Sequence, residues 1–385
     1  MPAEKIITIL GGGVGGLVTA RELRKRLGKE HRIVLVDREA RHVFSPSFLW
    51  LMVGSRRPEQ VWRDLSRVSR KGIEVVSGDI TAIDPESRNV TVEGRTIESD
   101  YLVVSLGADL RPEAVPGLAD AGHNLYTLEG ATDIRDTREG VTRGRLVVLV
   151  ASMPFKCPAA PYEAAMLLED DLQKRGVRNN VSVTLFSPEP GPMGVTGPEN
   201  SAAVKAMVES RGIEYRPQHK IESVDPDSRT LRFEDGTEEP FDYLAYIPPH
   251  AAPEVVVDAG LTGDSGWVPV DRNSLETKFK GVYAIGDVTG IPLAVGLPLP
   301  KAGTFALGQA RAVARTIAAD VSGKGEPGVF NGHGECFIEI GQGKAGIGMG
   351  NFYAEPRPTV KIRKPRCIWH WAKVWFEKRW FPKWA

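Results

Sequence analysis

Long hydrophobic runs are missing from this chain, and no stretch approaches the roughly 18 uninterrupted apolar residues of a membrane-spanning helix. Cysteine is scarce as well, with three in 385 residues. So few cysteines exclude a secreted disulfide framework, and their spacing matches no zinc pattern. A cysteine pair is therefore expected to be redox-active rather than structural. Charge of one sign is not in excess either: Lys plus Arg and Asp plus Glu both number 49. No overall field draws the protein to nucleic acid. The seven histidines are scattered without ligand spacing, so neither a metal site nor a catalytic histidine is expected. After Lys5 the chain runs directly into Ile6-Ile7-Thr8-Ile9-Leu10, with no apolar stretch of signal-peptide length, which predicts a chain that is not exported.

What is present begins with a duplication. Gly72-Ile73-Glu74 answers to Gly212-Ile213-Glu214, Ile80 to Arg88 answers to Ile221 to Arg229, and Asp100-Tyr101-Leu102 answers to Asp242-Tyr243-Leu244, at offsets of 140 to 142 residues. In each copy an apolar strand (6–10; 146–150) leads into a helical pattern and a second strand (33–36; 181–186). That order predicts a parallel sheet of βαβ units, and the period-two runs after each Asp-Pro turn predict a small antiparallel meander. The expected fold is α/β, with two Rossmann-like dinucleotide-binding domains and a C-terminal membrane-associating region. The boundaries are placed at 1–112 plus 270–320 for the first domain, 113–269 for the second and 321–385 for the C-terminal region.

The first copy carries Gly11-Gly12-Gly13-Val14-Gly15-Gly16 between strand and helix. Gly11 allows the tight turn, Gly13 a close approach to a pyrophosphate, and Gly16 close packing of helix on sheet. Asp37 ends the second strand 21 residues beyond Gly16, where a carboxylate meets ribose hydroxyls, and Arg38 follows it. Projection through an offset of 140 sets Ala151, Met153 and Lys156 against the three glycines. Side chains there obstruct a pyrophosphate, so the second copy is expected not to hold NAD(P)H. Cys157 stands at the mouth of this degenerate site.

Further along, Gly281-Val-Tyr-Ala-Ile-Gly286-Asp287 resembles the second FAD motif of the pyridine-nucleotide-disulfide oxidoreductase superfamily, and 103–107, ending in Gly107, resembles its Ala-Thr-Gly segment. FAD is the cofactor this implies, with Asp287 on its ribityl and pyrophosphate portion. Within that superfamily, Lys156-Cys157-Pro-Ala-Ala-Pro161, Cys336-Phe337-Ile-Glu-Ile-Gly341 and Pro300-Lys301-Ala-Gly303 resemble the sulfide:quinone oxidoreductases. The likeness implies a redox pair of Cys157 and Cys336, with Cys336 nearest the flavin and Cys157 carrying a persulfide. It also implies that the segment carrying Lys301 lies against the isoalloxazine ring, and sulfide and quinone as partners. A third cysteine of the family is replaced by Tyr126, and two expected histidines are absent, Gly130 standing at one of their positions. Packing as small apolar side chains is the alternative for each cysteine. Cys367 matches no catalytic position. Glu163, six residues after Cys157, is a candidate acid/base, against the alternative of a solvated helical glutamate.

Residues 357–385 hold nine basic residues and one acid, and five of the eight tryptophans fall between Trp369 and Trp384. Aromatics four apart with interleaved lysines predict an interfacial, peripheral (monotopic) membrane anchor, the alternative being a helix packed on another subunit. Phe330, Phe337 and Phe352 are possible walls of a quinone channel. A homo-oligomer is compatible with the sequence. The rival readings are a flavocytochrome sulfide dehydrogenase-like flavoprotein, a type II NADH dehydrogenase-like enzyme, and a flavin-bearing membrane scaffold that binds persulfide without turnover.

Overall fold

The apolar runs of the two copies become the centres of two five-stranded parallel sheets in the computed structural model, which describes residues 4–385. The first sheet has the order Val282–Ala284, Tyr101–Val104, Ile6–Leu10, Arg32–Asp37, Glu74–Ser77. The second runs His123–Asn124, Tyr243–Ile247, Gly144–Val150, Val181–Phe186, Glu214–Arg216, in the same topology. Central strands covered on both faces read as continuous hydrophobic runs, as Leu146 to Val150 does, because neither face meets water.

The duplication extends to local detail. Ile80–Asp84 and Asn89–Val92 pair antiparallel with a bulge between Ile80 and Ala82, and Ile221–Asp225 and Thr230–Phe233 pair with a bulge between Ile221 and Ser223. Arg88 and Arg229, at matching places in the two turns, both adopt left-handed backbone with φ of 62° and 51°.

The uniform offset fails, however, at the dinucleotide turn. Three residues, Gly11 to Gly13, separate the strand Ile6–Leu10 from the helix Val14–Arg26. Nine, Ala151 to Ala159, separate Gly144–Val150 from Ala160–Lys174. The second copy has replaced the tight turn by a wide loop, so Ala151, Met153 and Lys156 are not one-for-one equivalents of the glycines. The expectation that no glycine turn cradles a pyrophosphate there stands on the loop length instead. Compensation comes from residues 38–73 of the first copy, which are longer than their counterpart and form the ribbon Arg41–Val43/Trp62–Asp64 and the short helix Phe48–Leu51.

Beyond the long helix Gly303–Ser322, a three-stranded antiparallel sheet (His333–Gly341, Lys344–Asn351, Thr359–Arg366) leads into a tail helix, Cys367–Trp384. The tail helix turns one of its faces inward. Lys373, Glu377, Trp380 and Trp384 fall on one face at spacings of four, three and four. That face packs on both domains: Lys373 bonds Glu163 at 2.5 Å, Trp380 stacks on Phe44 with centroids 5.0 Å apart, and Trp380 and Trp384 are both 2% exposed. Lys373 is buried rather than extended toward phosphates. What remains outside is a narrower stripe of Ile368, Trp371 and Trp375, all more than 60% exposed. Among the described residues no helix is long and apolar enough to cross a membrane.

Candidate active site

The glycine loop has the backbone its sequence demands. Gly11 has φ of +95°, and a Cβ there would meet the carbonyl of Ser105; a Cβ on Gly16 would run into the carbonyl oxygen of Gly11. A Cβ on Gly13 would meet nothing within 4 Å, so the space above it is open for a ligand. Asp37 accepts from the amides of Gly12 (2.5 Å) and Glu39 (2.7 Å), which fixes its carboxylate at the strand end. Desolvation raises its pKa above the ordinary value, partly offset by those amides.

These residues line an elongated cavity of about 410 Å³ that runs between the two domains. Gly11, Gly13, Asp37 and Arg38 lie along one part; Gly107, Gly286, Asp287 and Lys301 contribute further wall, and Lys156 and Cys157 reach in from the second domain. Gly16 supports the loop from behind. The open cradle over Gly13, the carboxylate at the strand end and the wall shared by both domains fit FAD.

Lys301 borders the cavity, and its ammonium is held by backbone carbonyls. Its Nζ donates to the carbonyls of Asp287 (2.6 Å) and Thr289 (3.0 Å) and lies 3.3 Å from the centroid of Trp267. Burial lowers its pKa to about 8, with Asp287 acting in the opposite direction. Desolvation raises the pKa of Asp287 in turn, while Lys156 and Lys301 restrain it.

Cys157 sits in the wide loop with left-handed backbone, φ of 53°, which is strained for a residue with a Cβ. Several bonds hold it there. Its amide donates to the Lys301 carbonyl at 2.6 Å, its carbonyl caps Ala160 N at 2.8 Å, and the Tyr126 hydroxyl donates to the Lys156 carbonyl at 2.5 Å. Tyr126 thus clamps the turn of Cys157. Desolvation, then the neighbouring Cys157, pushes the Tyr126 hydroxyl well above its usual range, so it remains a donor.

Cys336, on the strand His333–Gly341, meets Cys157 side chain to side chain across 179 positions of sequence. Its thiol's hydrogen bond to Cys157, followed by burial, raises the Cys336 thiol well above its ordinary pKa. Both cysteines are thiols, and Cys367 is an exposed thiol at the start of the tail helix. Cys157 borders the dinucleotide cavity, whereas both Cys157 and Cys336 border a second, mostly apolar pocket of about 100 Å³.

That second pocket is where the sequence was least informative. Its walls come from the insert (Phe44, Leu49, Trp50), the tail helix (Lys373, Phe376, Trp380) and Phe337. Phe352 instead borders a small apolar cavity behind Cys336, and Phe330 packs on Phe305 and Tyr353 in the core, lining neither. Glu163 is no solvated glutamate. It is 1% exposed, lines the pocket, and accepts from Lys373 Nζ at 2.5 Å and from the Glu339 amide at 2.9 Å. Burial raises its pKa, and Lys373 restrains the rise.

The model of one family, described as pyridine nucleotide-disulphide oxidoreductase, matches residues 5–310. The chain belongs to that family. It is an FAD-dependent oxidoreductase. Among its relatives is the sulfide-quinone reductase of Aquifex aeolicus, 29% identical over 395 residues that cover 97% of this chain and 90% of the relative. The mitochondrial sulfide:quinone oxidoreductase of Mus musculus is 25% identical over 92% of this chain and 79% of its own length. The X-ray structure of the Aquifex aeolicus sulfide:quinone oxidoreductase superposes with a TM-score of 0.89 at 27% identity, covering 98% of this chain and 91% of that one.

Proposed function

We propose that this oxidoreductase oxidises sulfide at Cys157 and Cys336 and delivers the electron pair, by way of FAD, to a quinone in the pocket beneath the tail helix. The observation that carries the reading is the meeting of two cysteines from distant parts of the chain at the wall between a dinucleotide cavity and an apolar pocket.

In the oxidised pair, hydrosulfide attacks one sulfur of the Cys157–Cys336 bond; a new S–S bond forms, the old one breaks, and one cysteine leaves as thiolate while the other holds the persulfide. FAD, when bound, supplies a two-electron relay between thiolate and quinone. Gly11, Gly13, Asp37, Arg38, Gly107, Gly286, Asp287 and Lys301 hold that cofactor in this reading, and Gly16 seats the helix below it. Tyr126 keeps the Cys157 turn in place, and Glu163 with Lys373 forms the polar end of the quinone pocket, where an ammonium can hydrogen-bond a carbonyl oxygen.

The nine-residue loop in place of a second glycine turn supports sulfide rather than NADH as donor. The division at 1–112 plus 270–320, 113–269 and 321–385 follows the same reading. So does peripheral membrane association: Ile368, Trp371 and Trp375 form the lipid-facing stripe, flanked by Lys361, Arg363, Lys364 and Arg366 on the preceding strand, which suit an acidic headgroup surface. Sulfide-dependent reduction of a soluble quinone by the purified holoenzyme tests the assignment; NADH-dependent reduction without sulfide turnover overturns it.

A further inference from the structure

The quinone pocket is backed by more acid than its lysine can balance. Glu163 and Glu339 are each 1% exposed, yet Lys373 is the one lysine beside them among the described residues. Burial works against the charge on Lys373, and the two glutamates more than offset it, holding its pKa above the ordinary value. A second buried carboxylate beyond a matched pair needs another cation or a proton. The group that meets Glu339 is His370, whose Nδ1 lies 3.0 Å from each carboxylate oxygen and whose ring is 23% exposed. His370 stands one turn before Lys373 on the tail helix, edge-on to Trp50, and so joins the buried acid to solvent.

We propose that His370 and Glu339 are the proton inlet of this pocket, reloading Lys373 and Glu163 from solvent as a quinone is reduced. The proposal rests on the quinone reading above. Hydrosulfide gives up two electrons and one proton in becoming sulfane sulfur, and a quinone takes two electrons and two protons in becoming quinol. One proton per turnover must therefore enter from water, and the apolar walls of Phe44, Leu49, Phe337, Phe376 and Trp380 offer it no path. The relay does. His370, protonated at the surface, gives its Nδ1 proton to Glu339; Lys373, which faces both carboxylates, passes its own to the quinone oxygen and is reprotonated from Glu339, its flexible stem or one water spanning the gap. Each proton lost to the quinone leaves the cluster one charge more negative, which draws the next proton inward.

Neighbouring charges do not compete for this role. Arg56 is taken up by Glu377 at 2.6 Å and by the face of Trp50. Asp170, farther along the Ala160–Lys174 helix, is bound by Lys174, Arg211 and the Gln342 amide. His370 and Glu339 thus act through Lys373 and Glu163, as relay residues rather than groups touching the substrate.

Stopped-flow measurement of the two half-reactions in the FAD-loaded protein tests the inlet. In His370→Ala, sulfide should bleach the flavin at the wild-type rate, reoxidation by a soluble quinone should slow by about tenfold or more, and added imidazole should restore it through the vacated surface position. Glu339→Gln, which keeps the side chain's size, should slow reoxidation similarly and flatten its pH profile, without imidazole rescue. Wild-type reoxidation rates in both variants overturn the inlet, as does a slowing that imidazole does not relieve in His370→Ala and that leaves the pH profile of Glu339→Gln unchanged. Failure of sulfide to bleach even the wild-type flavin is a different result and overturns the sulfide reading instead.

Discussion

The indole Nε1 of Trp380 donates to Nε2 of His42 at 2.7 Å, and Nδ1 of the same imidazole donates to the carbonyl oxygen of Gly12 at 2.8 Å. One buried, neutral ring therefore ties the tail helix to the loop that cradles the dinucleotide. Because a carbonyl can only accept, Nδ1 must carry the proton, and Nε2 is left as the acceptor that Trp380 fills.

Replacing Trp380 by Phe keeps a ring in the stack on Phe44 but leaves a buried acceptor unsatisfied. Stability should fall by about 1–3 kcal/mol, and FAD should be released at a lower temperature than in the wild type. Equal flavin-release and unfolding temperatures in the two proteins would show that the tail does not support the loop.

The same histidine sets a pH window. Burial lowers its pKa from 6.5 to about 4, with the Gly12 carbonyl acting the other way. Between those values the unfolded chain holds a proton that the folded chain does not, so stability is full above about pH 6.5 and is lost as the pH falls toward 4. At about 1.4 kcal/mol per pKa unit, the loss is roughly 3 kcal/mol. In denaturant titrations across this range, His42→Gln should lose less stability on acidification than the wild type by about that amount. Parallel curves for the two proteins would remove His42 as the cause.

The glycines separate folding from cofactor binding. Gly13→Ala adds a methyl group into open space, so the cofactor-free protein should melt as the wild type does while FAD affinity drops. Gly16→Ala drives a methyl group into the Gly11 carbonyl and should destabilise the cofactor-free protein itself. Melting curves with and without added FAD distinguish the two, and a Gly13→Ala protein that binds FAD normally would contradict the cradle.

Much of this site was legible because its requirements are local. A tight turn before a helix needs glycine at Gly11 and Gly16, and a strand ending in Asp37 needs only its own apolar run. The meander repeats showed themselves through their Asp-Pro turns. Contacts between distant residues carry no period. Lys373 and Glu163 lie 210 residues apart and His42 and Trp380 lie 338 apart, and nothing in either neighbourhood marks the partner. Which face of the tail turns inward was illegible for the same reason. Trp and Lys four apart describe an interfacial helix and a half-buried one equally well, and only the aromatic insert around Phe44 decides which face turns in.

In the proposed reading, membrane docking depends on the outer stripe and the basic strand beside it. The double variant Trp371→Ala/Trp375→Ala should melt like the wild type but bind vesicles containing acidic lipid much less, as read by co-sedimentation. Undiminished vesicle binding would assign the stripe another role.

The central claim is that electrons enter from sulfide through the cysteine pair. Anaerobic titration of the FAD-loaded protein, followed by flavin absorbance, tests it most directly. Sulfide should bleach the wild-type flavin and NADH should not, and Cys157→Ser and Cys336→Ser should retain FAD yet resist bleaching by sulfide. Bleaching by NADH alone, or undiminished bleaching by sulfide in both serine variants, would contradict the account.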